Sequence, residues 1–253
     1  MITEYHRPET LDEALKLLAR KTPQTRPLGG GTVLAAPSAK EWAVVDLQLL
    51  KLDAIKAQGK KLRIGATVTL QALLDDKDTT DTLKQVIRQE TAANLRRVAT
   101  LAGTLVAADG RSPLATAMLS LDAELSLQPG DEGLGYGDLL PLRDERLRGK
   151  LITEISVSTQ AKLSYHYVAR SPADLPVVCI ALAAWPSGRT RLVAGGWGAA
   201  PVLALDGQDP SGLKAALENA LSEASDQWAS AEYRLEAGKA LLRRAMADLG
   251  VSA

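Results

Sequence analysis

Apolar residues at Leu11, Ala14, Leu15 and Leu18 repeat at the spacing of one helical face. Thr10 and Glu13 frame the start of that face as a capping box: the threonine side chain accepts from the amide three residues on, and the glutamate reaches back. Pro23 closes the region. Residues 42–47 and 62–66 are short apolar runs of strand length, and 69–74 reads as a short capped helix. A longer helix is predicted from about Thr82 to Val98, with Leu83, Val86, Ile87 and Leu95 turned inward. Residues 100–104 are small and turn-prone. Residues 113–121 suit a helix, 122–127 alternate like a strand, and 151–157 alternate again. Between them, 128–149 is rich in glycine, proline and charge and reads as a loop region.

The last third changes character. Residues 163–168, 176–184 and 190–198 read as three strands, the second and third joined by a hairpin turn at Pro186-Ser187-Gly188. Two helices follow. One begins at Ser211 with Leu213, Leu217 and Leu221 on one face; the other spans roughly 230–249, with Gly250 as its stop. Runs of strands followed by runs of helices predict an α+β chain rather than a doubly wound sheet.

Composition narrows the function. The chain has 253 residues, 46% of them hydrophobic, which is enough for a packed core. Thirty basic residues balance thirty acidic ones, which argues against a nucleic-acid binder with its basic excess. The single cysteine, Cys179, cannot build a disulfide, an iron–sulfur site or a structural zinc site by itself. It lies in an apolar run and reads as a small core residue. Two histidines, His6 and His166, leave little for a metal site, and no metal ligand set is expected. No apolar run reaches about 18 residues, so no membrane span is expected. The N-terminus carries no basic region followed by an apolar run, and a cytoplasmic protein is the expectation.

The strongest local chemical signal is Leu28-Gly29-Gly30-Gly31-Thr32. Three adjacent glycines allow positive φ angles and let backbone N–H groups converge on an anion, and a helix start beyond them would add its dipole. Thr32 adds a hydroxyl, and a pyrophosphate is the natural guest. The spacing is neither the dinucleotide fingerprint nor a P-loop. The same glycines suit a tight turn without a ligand, and the residues alone leave both readings open. Thr100-Leu101-Ala102-Gly103-Thr104 could approach a phosphate or ribose closely, or form a turn at a strand edge. Asp109, in the loop beyond, could accept from ribose hydroxyls or stand in solvent. Gly195-Gly196-Trp197-Gly198 is equally explained by close sheet packing, and Arg243-Arg244 by a solvated helix face.

In order and spacing these pieces resemble the FAD-binding medium subunit of the molybdenum hydroxylases, the family of xanthine dehydrogenase and carbon monoxide dehydrogenase. The resemblance opens at Pro8-Glu9-Thr10-Leu11-Asp12-Glu13-Ala14-Leu15 and continues through Leu28 to Leu34, which is similar to a first flavin-diphosphate loop. Ile64-Gly65-Ala66-Thr67-Val68-Thr69-Leu70 is similar to the stretch linking two flavin subdomains. Leu95 to Thr104 is similar to a second diphosphate loop, usually Ile-Arg-Asn-x-Ala-Thr-x-Gly-Gly-Asn.

The resemblance implies a two-subdomain PCMH-type FAD-binding domain over 1–159, divided at about 57, then a C-terminal domain over 160–253 with a three-stranded antiparallel sheet and helices. It implies FAD as cofactor, and two partner subunits, a small one with iron–sulfur clusters and a large one with the molybdenum cofactor. Electrons would pass through this chain to an external acceptor, with no side chain acting as a catalytic acid or base. Carried over residue by residue, Leu28, Gly29, Gly30, Gly31, Thr32, Val33 and Leu34 would form the first diphosphate contact. Thr100, Ala102, Gly103 and Thr104 would form the second, closing on the same phosphates from the opposite side. Asp109 would reach the ribose, and Ile152 would lie against the flavin. Departures from the family pattern are Arg97 for asparagine, Ala102 for the first glycine of the second loop, Thr104 for asparagine, Pro113 for an acidic residue and Tyr167 for lysine. Those departures motivate the alternative, a structural subunit of the same fold that has lost FAD.

Overall fold

The structure is a computed structural model that describes residues 1–34 and 41–252. Its elements, in chain order, are β1 (Ile2–His6), α1 (Leu11–Leu18), β2 (Thr25–Leu28), β3 (Trp42–Asp46), β4 (Ile55–Gln58), β5 (Lys61–Gly65), α2 (Leu70–Asp75), α3 (Asp81–Glu90), α4 (Ala93–Arg96), α5 (Leu101–Ala107), α6 (Pro113–Ser120), β6 (Glu124–Gln128), β7 (Glu132–Gly135), α7 (Tyr136–Leu139), α8 (Arg143–Arg146), β8 (Leu151–Ser158), β9 (Lys162–Val168), β10 (Val178–Ala184), β11 (Thr190–Gly195), β12 (Val202–Gly207), α9 (Leu213–Leu221) and α10 (Ala231–Leu249). The chain divides into two compact units. The first gathers Met1–Asp76, Ala93–Ala107 and Glu124–Ser156; the second gathers Lys77–Ala92, Ala108–Ala123 and Val157–Ala253.

The first unit holds two sheets, a parallel one in the order β1-β3-β2 and a five-stranded one in the order β4-β5-β8-β6-β7, antiparallel at β4-β5, β8-β6 and β6-β7. Every residue of β3 is buried, as expected of a central parallel strand covered on both faces. Helix α1 packs Ala14 and Leu18 against Val45, Leu47 and Leu151. Its start follows the expected cap: Thr10 Oγ1 accepts the Glu13 amide at 3.3 Å. The Glu13 carboxylate reaches one residue further than a capping box requires, taking the amide of Glu9 at 3.4 Å.

The second unit is an antiparallel sheet in the order β12-β11-β10-β9, packed with α3, α6, α9 and α10. Strand β10 explains why its sequence shows no polar alternation. Val178, Ile180 and Leu182 pack into a cluster with Leu213, Leu217, Leu241 and Leu242 of the two last helices. Successive side chains of a strand point to opposite faces, so Cys179 points the other way and meets Thr116 of α6, Oγ1 to Sγ 3.6 Å. Gly250 ends α10 with φ 64°, the left-handed stop its position predicts.

Several expectations are corrected. The helix expected over 82–98 breaks after Glu90, because Thr91 is extended at φ −161° and ψ 164°. Leu95, expected inward, lies in α4 and is 42% exposed. The turn-prone 100–104 stretch opens helix α5. The expected loop over 128–149 contains β7, α7 and α8, elements of four residues each and too short to show a periodicity. The last sheet has a fourth strand, β12, at its edge, where Val202 and Leu203 remain exposed and blur the strand pattern. Among the described residues no helix is long and apolar enough to cross a membrane.

Candidate functional site

Strand β2 ends at Leu28, which lies opposite Asp46 of β3 and accepts the Leu47 amide at 3.1 Å. The chain then bends through Gly29, Gly30, Gly31 and Thr32 at the carboxyl end of a parallel strand, where open α/β sheets receive their ligands. Each glycine is needed for its own reason. A Cβ on Gly29 would stand 2.6 Å from Thr100 Oγ1, and one on Gly30 would stand 1.7 Å from the Val98 carbonyl oxygen. Gly31 meets nothing nearer than Leu28 Cδ1 at 3.5 Å, but its φ of 71° lies where a side chain is strained. Among the described residues, no protein acceptor takes the amides of Gly29, Gly30, Gly31 or Thr32. Thr32 and Val33 are exposed, and Thr32 to Leu34 form a turn. Val33 and Leu34, expected to continue a helix start, lie in that turn, and residues 35–40 lie outside the described residues.

Beside this bend, at the end of β3, sits a carboxylate that pattern reading passes over. The Asp46 side chain is 4% exposed. It accepts the Tyr5 hydroxyl and the Gln48 amide and lies 3.6 Å from the Arg7 guanidinium. Donation to that carboxylate pushes the Tyr5 phenol above its ordinary pKa. The only sign of Asp46 in the sequence is one acidic residue closing an apolar run. Nearby on β1, His6 bonds Glu4 at 2.8 Å and Arg20 at 3.2 Å, and the Arg20 guanidinium, then His6, hold the Glu4 carboxyl below its usual range.

The second bend is a neighbour of the first but offers something different. Residues 66–70 run beside it as a short antiparallel partner, bridged at Thr69 and Thr100. Leu101 donates its amide to Val68 O at 2.9 Å, and Ala102 donates to Ala66 O at 3.3 Å. Gly103 donates to Thr100 Oγ1 at 3.3 Å, and Thr104 to Thr100 O at 2.9 Å. The first four amides of a helix, counted from its cap, ordinarily lack partners; here the protein claims those of 101, 102 and 103, and Thr104 makes the first helical bond. The Thr104 hydroxyl donates back to Thr100 O at 2.9 Å. Ala102 is not strained, since Lys51, Asp122 and Asp131 are the non-glycine residues with positive φ among the described residues. Thr100 stands between the bends: its Oγ1 also lies 2.8 Å from where a Gly103 Cβ would be.

The first bend therefore fits a diphosphate, with unclaimed donors on a backbone free of side chains. The second has given the amides of residues 101–104 to the protein, and among the described residues only the Thr100 amide is left without an acceptor. Ile152 is 5% exposed in β8, opposite Leu127. Asp109 belongs to the second unit, where its Oδ1 accepts the Arg111 amide at 2.8 Å.

The second unit keeps its polar groups for packing. Burial pushes the Cys179 thiol up to about 11, which removes it as a nucleophile. The Glu90 carboxylate caps α6, accepting Ser112 Oγ at 2.9 Å and the Leu114 amide at 2.8 Å; burial pushes its carboxyl up to about 7. Cβ atoms on Gly195 and Gly196 would strike Thr116 Oγ1 at 2.6 Å and Val177 O at 2.4 Å, so close packing accounts for that glycine cluster. Pro113 is the first residue of α6, and Tyr167 stacks on Tyr165 with centroids 5.9 Å apart. Among the described residues no cluster of histidine, cysteine and carboxylate could hold a metal.

Residues 1–157 match the family described as the FAD binding domain in molybdopterin dehydrogenase. The chain is 30% identical over 227 residues to the Escherichia coli K12 protein YgfM, covering 88% of this chain and 86% of that protein. Solved structures share the fold. A chain of quinoline 2-oxidoreductase from Pseudomonas putida 86 superposes with a TM-score of 0.78 at 22% identity, covering 98% of this chain and 97% of its own. A chain of carbon monoxide dehydrogenase from Hydrogenophaga pseudoflava superposes with a TM-score of 0.77 at 17% identity, covering 97% and 96%. One of the reconstituted CO dehydrogenase from Oligotropha carboxidovorans does so with a TM-score of 0.74 at 24% identity, covering 96% of each. By sequence, and with a fold to match, the chain belongs to the family of FAD-binding domains of molybdopterin dehydrogenases.

Proposed function

We propose that this chain is the FAD-carrying electron-transfer subunit of a cytoplasmic molybdenum hydroxylase complex. Its FAD-binding domain runs over 1–159 and its C-terminal domain over 160–253. Its partners are a small iron–sulfur subunit and a large subunit with the molybdenum cofactor, and it delivers electrons to an external acceptor. The observation that carries this function is the bend at 29–32, whose four amides have no protein acceptor among the described residues, in a chain of this family. Those amides and the Thr32 hydroxyl bind and orient the diphosphate, with Val33 and Leu34 flanking it. Ile152 is the aliphatic side chain set against the flavin. FAD, when bound, supplies the redox chemistry. The protein's part is binding and orientation, and no side chain moves a proton.

One observation favours the second reading, a structural subunit of the same fold without FAD: the amides of residues 101–104 are all claimed by the protein. The two readings separate on a visible absorption spectrum. The purified chain, incubated with excess FAD and desalted, should retain flavin absorbance in the first case. Absence of bound flavin, together with co-purification of iron–sulfur and molybdenum partners, establishes the second.

A further inference from the structure

We infer that the groove between α9 and α10 is a docking site for an acidic side chain of a partner subunit. The partner, though not the groove, rests on the function proposed above. The two helices run antiparallel. A Cβ on Gly238 would lie 2.7 Å from Leu221 Cδ1, and Lys239 Nζ pairs with Glu218 Oε1 at 3.2 Å across the gap. One turn further, back along α9 and on along α10, Lys214 and Arg243 line the same groove. The first rung thus joins opposite charges, and the second brings two cations together. Among the described residues, Lys214 and Arg243 have no ion-pair partner. Lys214 also sits in the first turn of α9, where the helix dipole disfavours a cation. The groove is lined by three cations and one carboxylate, Glu218, which Lys239 already holds together with Glu236 at 3.5 Å. What the second rung lacks is an anion from outside.

Size decides the kind of anion. The groove has a volume of about 160 Å³. A cavity of roughly 150 Å³ takes a benzene-sized group, whereas small-molecule sites run to about 300–1,000 Å³. The space therefore suits one side chain and excludes a nucleotide. Its floor is apolar: Leu217 and Leu242 are buried, and Met246 shows only an edge at 9% exposure. A glutamate entering from a partner would lay its methylenes on that floor and set its carboxylate between Lys214 and Arg243. Closing the floor removes water from the pair and strengthens the attraction. The arrangement also separates Arg243 from Arg244, since Arg243 lines the groove and Arg244 does not.

The test uses the full chain labelled with ¹³C-methyl methionine. Its three methionines give three signals, Met246 from the groove, Met118 from the core and Met1 from the N-terminus. The probe is the peptide acetyl-Leu-Glu-Leu-amide, with acetyl-Leu-Gln-Leu-amide as its neutral control. At millimolar concentration the acidic peptide should shift Met246 and leave Met118 unmoved, and the neutral peptide should shift neither. Lys214→Ser/Arg243→Ser should weaken binding about five- to tenfold. Both positions are exposed, so the variant keeps its fold, which Met118 checks. Raising the salt from about 0.05 M to about 0.5 M should weaken binding in the parent and much less in the variant. In the assembled complex, Lys214→Glu/Arg243→Glu should bind the partner subunits at least about tenfold more weakly than the parent. No shift of Met246 with the acidic peptide, or an equal shift with the neutral peptide or with inorganic phosphate, overturns the inference. So does a charge-reversed chain that assembles like the parent. If the parent chain assembles with no partner, the proposed function falls, and Met246 still decides whether the groove takes an acidic side chain.

Discussion

The bends at 29–32 and 100–104 are made of the same kinds of residue, glycine and threonine among small neighbours, and they lie against each other in the first unit. They differ in what runs alongside. Residues 66–68 pass the second bend and take two of its amides; Thr100 takes two more through its hydroxyl and its carbonyl, and its own amide has no acceptor among the described residues. No segment among the described residues does the same for the first bend. Small residues let a backbone come close to something, and whether that something is a ligand or the protein's own chain is decided by the neighbouring strand. The second bend spends four of its five amides on the scaffold, and the first keeps all four of its own among the described residues.

The largest expected effect is at Gly30. A Cβ there would sit 1.7 Å from a backbone carbonyl oxygen that cannot swing aside. Gly30→Ala should cost about 3 kcal/mol or more in urea denaturation and abolish FAD retention; mild loss of either would show that the bends are not in contact. The start of α6 extends the comparison to a helix whose donors are claimed by a carboxylate. The Glu90 carboxyl is raised from 4.5 to about 7 in the folded chain, so the unfolded chain gives up that proton first. Its stabilising contribution is complete below about pH 4.5 and is lost as the pH rises through about 7, a change on the order of 3 kcal/mol. Urea denaturation across that range should show the fall, and Glu90→Gln should flatten it.

Gly31→Ala comes next. Nothing crowds the site, so only the left-handed φ of 71° opposes it, at about 1–2 kcal/mol, seen as a lower Tm. Ala102→Gly then sharpens the contrast between the bends. It restores the family's usual glycine, yet residue 102 sits inside a helix with its amide already donated to Ala66 O. Stability should fall by about 0.5–1 kcal/mol, and FAD affinity should not improve. A marked gain in affinity would show that the second bend touches the diphosphate. The smallest effect belongs to Thr104→Val, which removes only the hydroxyl bond back to Thr100 O and should change stability by about 0.5 kcal/mol or less, with FAD affinity unchanged.

Much of the fold is legible in the sequence wherever an element is long enough to repeat its pattern. The spacing of Leu213, Leu217 and Leu221 marks the buried face of α9, and Ser230 and Gly250 bracket α10. The helix expected over 82–98 is read too long because its composition stays helix-compatible across a break that only the backbone at Thr91 reveals. Strand β12 is missed because edge strands leave apolar residues in solvent. At the candidate site, the glycine bend and the 100–104 stretch are visible as motifs, and their proximity follows from the family resemblance. The fate of the amides is not written in either motif. It depends on residues 66–68, more than thirty positions before Leu101 in the chain, and on a threonine side chain whose two neighbours are glycines for its sake. Asp46 is hidden for a similar reason, since its partners Tyr5 and Arg7 come from another strand and the segment beyond it.

The Val98 carbonyl, pressed onto Gly30, has a consequence for anyone who would cut or graft this chain. The glycine loop is cast against a mould supplied about seventy residues later in the sequence. A fragment that stops after the first sheet would carry every glycine and none of the surface that shapes them, and transplanting residues 28–34 into another scaffold would transfer the letters without the form.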